Sequence, residues 1–566
     1  MIFVILPLTK RIMIKNTPKV FFYFLGAILV LNLFQSYITP LIYDEAYYWY
    51  YAQNMAWGYF DHPPMVALLI KISSFLAPGE LGVRAMGAVL SAALYWVLWA
   101  LIDHPKKKEY IIHFFVLVFS MTLIHAYGFF TLPDTPLLFF TALFLYIYKK
   151  FLVQPSYALA IGMGVVMACL MYSKYHAVLV ILFVLLSNVK LALNKHAWLA
   201  VAIALLCYAP HFYWLYEHDF VSVRYHLFDR PKGKYKFEYT SGFFLNLIAV
   251  YGLTFPFMYK ALFKSKGKDL YTRALLFLTY GVMVFFFVSS FNRRIQTQWI
   301  ILICIPMAVL AFNYMLENEK TRLWIYRLGL ANIAILLFAR IGLVFQPLFP
   351  LKYETHGGKE WVQALEEQIG DTPAVFDNSY RAASFYAFYS GHTAFSLNNY
   401  MYRKNQYSID DSEAKVQGKR VVSISEFRNQ GDVQYMGANG KEHYGTYIDT
   451  FESYRKLEAL VHDASPIALG DTQLPLAVYN PYQTDIALSK IKFFVTYLNS
   501  KKQPLHTQPL QEVQEQTKKG TLSAQDTTLF TFTLPQPAEG TYSYFRIGIS
   551  ENGLLAGLNG NNVKLE

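Results

Sequence analysis

Four short stretches hold the residues whose types and spacing could do chemistry. Tyr43-Asp44-Glu45-Ala46-Tyr47-Tyr48-Trp49-Tyr50 pairs two carboxylates with a run of aromatics, and Tyr59-Phe60-Asp61-His62-Pro63-Pro64 follows it. Thr131-Leu132-Pro133-Asp134-Thr135-Pro136 and Met171-Tyr172-Ser173-Lys174-Tyr175-His176 each place one charge beside an apolar run. Arg84, Arg293, Arg294 and Arg340 add further cations in the same kind of setting. A carboxylate can act as general base on a hydroxyl. Lys and Arg can hold a phosphate and stabilise the charge that grows on it as it leaves. Aromatic faces can stack on a sugar ring or hold a prenyl chain. Each residue also has a structural reading. Asp44, Glu45 and Asp134 could cap helices, Arg84 and Arg340 could snorkel to headgroups, and Lys174 could separate two spans.

The elements that must position these residues are membrane helices. The chain has 566 residues, 55% hydrophobic and 16% charged, against about 25% charged in an ordinary soluble protein. Apolar runs close to the roughly 20-residue length of a bilayer span recur up to about residue 346 and then stop. About eleven spans are expected, near 20–41, 84–102, 111–126, 132–148, 157–172, 176–193, 197–215, 243–263, 271–290, 296–315 and 323–346. The first stretch, MIFVILPLTKRIMIK, is short and basic at its far end, so the run from Val20 reads as an uncleaved first span.

With the N-terminus inside, the inner segments hold 18 Lys and Arg and the outer loops 10, which favours that orientation. The long outer loops are then 42–83 and 216–242, where a helix from Tyr43 to near Gly58 and a second, Met65–Ala77, are expected to lie in the interface. An odd number of spans puts the tail outside. The expected division is a membrane domain, 1–348, and an extracytoplasmic mixed α/β domain, 349–566. In the latter an amphipathic helix at Trp361–Ile369 and a strand at Pro373–Phe376 precede alternating β-like runs at Lys492–Leu498, Thr528–Leu534 and Thr541–Ser550. All the singled-out charges then fall on the outer side, and intramembrane or edge charges are costly unless they face a polar cavity.

The formal charge of +12 reads as membrane topology rather than nucleic-acid binding. Cys169, Cys207 and Cys304 all lie in apolar runs, so the tail has no disulfide framework. His62, His125, His176, His211, His218 and His226 map to outer ends or loops, and with Asp44, Glu45 and Asp61 could in principle assemble a divalent-cation site. None shows a close ligand spacing such as His-x-x-x-His.

The pattern Asp44-Glu45 before an aromatic helix, Phe60-Asp61-His62-Pro63-Pro64, Pro133-Asp134-Thr135-Pro136 and Ser173-Lys174 resembles bacterial members of glycosyltransferase family 39 over residues 20–346. That family includes protein O-mannosyltransferases and lipid A aminoarabinose transferases and has the GT-C membrane fold. The resemblance implies inverting transfer from a polyprenyl-phosphate sugar in a bacterial inner membrane, to a lipid A, glycan or protein acceptor. It casts Asp44 as base, Glu45 as its orienting neighbour and Asp134 as the second acid of the cavity. Lys174, with Arg294, would hold donor phosphate, and His62 would shape the turn near the sugar. On the page of residues alone, Asp61 and Arg84 also stand as substrate-binding candidates. The repeated lumenal modules of the eukaryotic mannosyltransferases are missing, which does not favour a protein acceptor. Two other classes fit less well. Lipid-linked glycan polymerases and ligases usually rely on arginines in a loop between spans, and transporters often show repeated halves with midplane polar residues.

Overall fold

The computed structural model describes residues 17–566 apart from 230–234, 349–350, 463–465, 468–472, 512, 517–518 and 538–539. Lys10, Arg11 and Lys15, and Arg230, Lys232 and Lys234, which entered the charge bias above, lie outside the described residues. The chain forms two compact units. One runs to His356 apart from the segment Val223–Lys232; the other is Gly357–Glu566 together with that segment.

The first unit is helical. Among the described residues, seven of its helices are long and apolar enough to cross a membrane: Lys19–Ile38, Gly79–Leu101, Asp134–Val153, Lys195–Glu217, Leu270–Ser290, Thr297–Glu317 and Glu319–Val344. The pair Phe237–Ala249 and Gly252–Lys264, bent by 95°, raises the number to eight if it is one span. The count of about eleven is therefore not reproduced. Three further expected spans form helices shorter than these seven, the first because hydropathy registers apolar length but not a break within it. Segment 111–126 breaks into Ile111–Phe119 and Thr122–Ala126. Segments 157–172 and 176–193 become Tyr157–Ser173 and Tyr175–Ser187. Val30, Phe34 and Leu206 remain more than half exposed on their helices, as expected where the surrounding solvent is lipid.

Local sequence sets several of the starts. Ser156 Oγ accepts from Leu159 N, Asn194 Oδ1 from His196 N, Asp269 Oδ1 from Thr272 N and Asn318 Oδ1 from Thr321 N, each satisfying an orphan donor of a first turn. The two internal breaks are joined to each other. Thr122 N donates to Val250 O at 3.1 Å. From the Glu319–Val344 helix, Asn332 Nδ2 donates to Ser120 O at 2.6 Å, and its Oδ1 accepts from Leu253 N at 3.4 Å. Gly252, at φ +54°, makes room: a Cβ there would lie 2.4 Å from Asn332 Oδ1. Backbone freed within a membrane must find partners inside the protein. Asn332→Leu strands Ser120 O and Leu253 N, and a buried unsatisfied polar group costs about 1–3 kcal/mol. The purified variant is expected to melt clearly below the parent; equal melting temperatures would remove Asn332 from the role.

The second unit is rich in strands. Helix Gly358–Ile369 packs Trp361 against Phe376, Phe385 and Tyr435. It precedes a five-stranded mixed sheet of β1 (Ala374–Asp377), β2 (Ala394–Leu397), β3 (Lys419–Ser425), β4 (Val433–Met436) and β5 (Glu442–Phe451) in the order β2-β1-β3-β5-β4. Two four-stranded antiparallel sheets built from strands between Glu458 and Lys564 enclose a separate core containing Leu476, Val495, Phe530, Phe532, Phe545 and Ile547.

Candidate active site

Asp44 and Glu45 are sequence neighbours with different surroundings. The helix they open is Tyr43–Gln53, so neither residue is its N-cap, which is Ile42, and the helix stops at Gln53 rather than near Gly58. Glu45 is fully buried. Its Oε1 accepts from Arg84 Nε at 2.8 Å and from Thr131 N at 2.9 Å; its Oε2 accepts from Arg84 Nη2 at 2.5 Å and from Ile42 N at 3.3 Å. The last of these is the reciprocal bond of a capping box, so the capping role belongs to Glu45.

Arg84 is also 0% exposed, and its remaining donors go to Ser36 O, Thr39 O and Pro40 O at 3.2, 2.5 and 3.0 Å. All five guanidinium N–H groups are thereby used within the chain. Arg84 was singled out as a substrate-binding cation, but the structure leaves it no donor for a ligand. The pair instead ties the end of the first span, the Tyr43–Gln53 helix, the Gly79–Leu101 helix and the turn before Asp134 to one another. Asp44 remains partly exposed.

Asp134 and Lys174, 40 residues apart, form a second buried pair. Lys174 Nζ donates to Asp134 Oδ1 at 2.8 Å and to Oδ2 at 2.9 Å. Asp134 is 3% and Lys174 6% exposed. Two local sequences set this up. Pro133 precedes the helix whose first residue is Asp134, and Lys174 is extended (φ −165°, ψ 142°) where the Tyr157–Ser173 helix stops and a 3₁₀ turn begins. Sequence reasoning missed the third member, Tyr127. Its phenol lies within electrostatic reach of Asp134 and of Asp44; burial first, then Asp134, hold it well above its ordinary pKa and so protonated. Tyr127 places Asp44 and the Asp134–Lys174 pair in one cluster. Its only sequence signal is its position in the short connection Tyr127-Gly128 to Pro133 that leads into Asp134.

The first outer loop is braced beside this cluster. Tyr51 Oη donates to Asp61 Oδ1 at 2.5 Å, and the Tyr51 ring stacks on Tyr59 with centroids 4.2 Å apart. Asp61 is thus occupied by a tyrosine within its own loop. Tyr59 N donates to His62 O, closing the turn, and the His62 ring meets Tyr48 edge-on. Ser222 Oγ donates to Tyr59 O at 2.9 Å. His211 Nδ1 donates to Trp57 O at 2.7 Å, which leaves its Nε2 to accept from Tyr175 Oη at 3.2 Å, next to Lys174. Arg294 lies exposed in the connection after Leu270–Ser290, and no hydrogen bond or ion pair among the described residues links it to Asp134 or Lys174.

Arg340 does not snorkel. It is 3% exposed, donates through Nε to His125 Nε2 at 2.7 Å and through Nη2 to Asn32 Oδ1 at 2.8 Å, and lies over the Phe129 ring. His125 is therefore a partner of Arg340, while His218 stacks on Trp214. Among the described residues no group of three or more His, Cys, Asp or Glu comes together to hold a metal ion.

The family model of dolichyl-phosphate-mannose-protein mannosyltransferases matches residues 61–214. The chain's fold is similar to that of ArnT from Cupriavidus metallidurans in the apo state, with a TM-score of 0.53 at 13% identity over 71% of this chain and 92% of that one. The same protein bound to undecaprenyl phosphate gives a TM-score of 0.50 at 12% identity over the same shares. The chain thus has seven or eight helices long and apolar enough to cross a membrane, and a fold similar to that of ArnT. Among curated proteins it is similar to the lipid A galacturonosyltransferase RgtD of Rhizobium johnstonii, 27% identical over 197 residues. That match covers 33% of this chain, and the chain spans 41% of the length of that relative.

Proposed function

We propose that this chain transfers a sugar from a polyprenyl-phosphate donor to an acceptor hydroxyl on the outer side of a bacterial inner membrane, with inversion at the anomeric carbon. The observation that carries the reading is the convergence of Asp44, Tyr127, Asp134 and Lys174. An ammonium has three donors, and Asp134 takes two of those on Lys174. The third is available to a phosphate oxygen, while Asp134 fixes the direction of the Lys174 side chain. Asp44 is the base. It removes the acceptor proton as the oxygen attacks the anomeric carbon, and the bond to phosphate breaks with its electrons and charge moving to the phosphate, where Lys174 stabilises them. Glu45 and Arg84 act by holding the segment that carries Asp44, and His62, Asp61 and Tyr51 by shaping the loop beside it. Arg294 meets the donor phosphate nearer the headgroup surface.

The acceptor class is a cell-envelope glycolipid such as lipid A. Support comes from the name of the RgtD relative, and donor class from the undecaprenyl phosphate bound in ArnT. Orientation follows the Lys and Arg bias, with the N-terminus cytoplasmic and residues 357–566 outside. A reporter active only in the periplasm, fused after Glu566, is expected to be active; activity of a cytoplasmic reporter there would overturn the placement.

The direct test is turnover of polyprenyl-phosphate sugars, extracted from the native membrane, by the purified protein. Lys174→Ala is expected to lower kcat/KM for the donor by about 2–4 kcal/mol of transition-state stabilisation, the usual loss for one preorganised charge-stabilising group. Parent turnover at subsaturating donor would assign Lys174 to structure alone.

A further inference from the structure

The C-terminal unit carries a polar site that the transfer chemistry does not use. β1 and β3 run parallel side by side, and the chain leaves their carboxyl ends in opposite directions. From β1 it passes through helix Tyr380–Ser390 to β2; from β3 it enters the β4–β5 hairpin. In open α/β sheets the crevice at such a divergence is the customary ligand position.

Here the loop after β3 borders an open depression of about 540 Å³ lined by Arg428, Asn429, Gln430, Gly431 and Thr446. Its floor is bare main chain: a Cβ on Gly431 would lie 2.3 Å from Gly445 O of β5, so the loop rests directly on the strand. Arg428 is held in place, with Nη1 donating to Ser423 O and Nη2 to Ser423 Oγ at 3.3 Å. Its Nε–H and the remaining Nη hydrogens make no other hydrogen bond among the described residues. The exposed amides of Asn429 and Gln430 likewise make none there. Phe427, next in sequence, is 54% exposed, although apolar cores are available in the same unit.

We propose that this depression binds an acidic saccharide. The pre-positioned Arg428 guanidinium takes a carboxylate, the two amides take ring hydroxyls as donors and acceptors, and Phe427 covers the apolar face of a sugar ring. The assignment is independent of the transfer reaction, and its test requires no turnover.

Full-length protein in detergent is presented, without donor lipid, to an array of uronic-acid oligosaccharides and their neutral counterparts, and the bound members are titrated by saturation-transfer NMR. Uronic-acid members are expected to bind, with neutral ones weaker by about tenfold, the value of a charge-assisted hydrogen bond. Phe427→Ala and the double variant Asn429→Ala/Gln430→Ala are each expected to weaken binding by about tenfold at parent melting temperature. No binding of any acidic member by the parent overturns the proposal. So does equal affinity for the neutral counterparts, or parent affinity in both loop variants, which would place any bound saccharide elsewhere.

Discussion

Asp44→Asn is expected to fold, insert and purify as the parent does while losing about 10²–10⁴-fold in transfer rate, the range typical of removing a positioned general base. The structural side is bounded by position. Asp44 is the second residue of its helix, partly exposed, and not the cap. The change removes a favourable charge near a helix N-terminus, worth about 0.3–1 kcal/mol. Asparagine keeps the shape and the hydrogen-bonding oxygen and cannot accept a proton. Donor binding, which we propose rests on Lys174 and Asp134, should survive. Measuring transfer rate and donor affinity on the same preparation separates the outcomes. Intact binding with parent transfer would take Asp44 out of the mechanism and leave the base role to Asp134.

Arg84→Met has the opposite signature. Removing one partner of a buried ion pair leaves an uncompensated charge and costs about 3–5 kcal/mol. In this case Glu45, fully buried, would lose two of its four hydrogen bonds, and the carbonyls of Ser36, Thr39 and Pro40 would lose their donor. The variant is expected in low yield with a strongly lowered melting temperature. Arg84→Lys should recover only part of it, because a single ammonium cannot reach five acceptors spread over one plane. Adding Glu45→Gln to Arg84→Met should also restore part of the stability, since no buried charge then remains unpaired. A stable Arg84→Met protein that binds donor poorly would reverse the assignment and return Arg84 to the substrate.

Some of this was legible in order of residues. The membrane character of residues up to about 346 and the strand-rich tail follow from hydropathy, which is a sum over neighbours and needs no partner. The strands at 491–498, 527–533 and 544–551 fall where period-two alternation puts them. The helix caps at Ser156, Asn194, Asp269 and Asn318 are equally local. Gathering the singled-out acids and cations at span ends was legible too, since a charge within or beside an apolar run is visible wherever it occurs.

Tertiary structure alone decided who pairs with whom. Glu45 meets Arg84 39 residues away, Asp134 meets Lys174 40 away, and Arg340 meets His125 215 away. In low dielectric each charge must find compensation, and which of several candidates supplies it depends on how helices cross, not on spacing along the chain. The same reason made Tyr127 invisible and made Arg84 resemble a ligand cation. It also explains the spans: Ser120 and Val250 interrupt apolar runs that read as continuous, because Asn332 on a third helix satisfies the broken backbone. By itself the sequence determined that the apolar runs lie before about residue 346 and that charged residues sit at their ends; which runs fold as full-length helices was decided by the tertiary structure. Packing determined which of those polar groups are spent on holding the fold, as Glu45 and Arg84 are, and which, like Asp44, remain partly exposed.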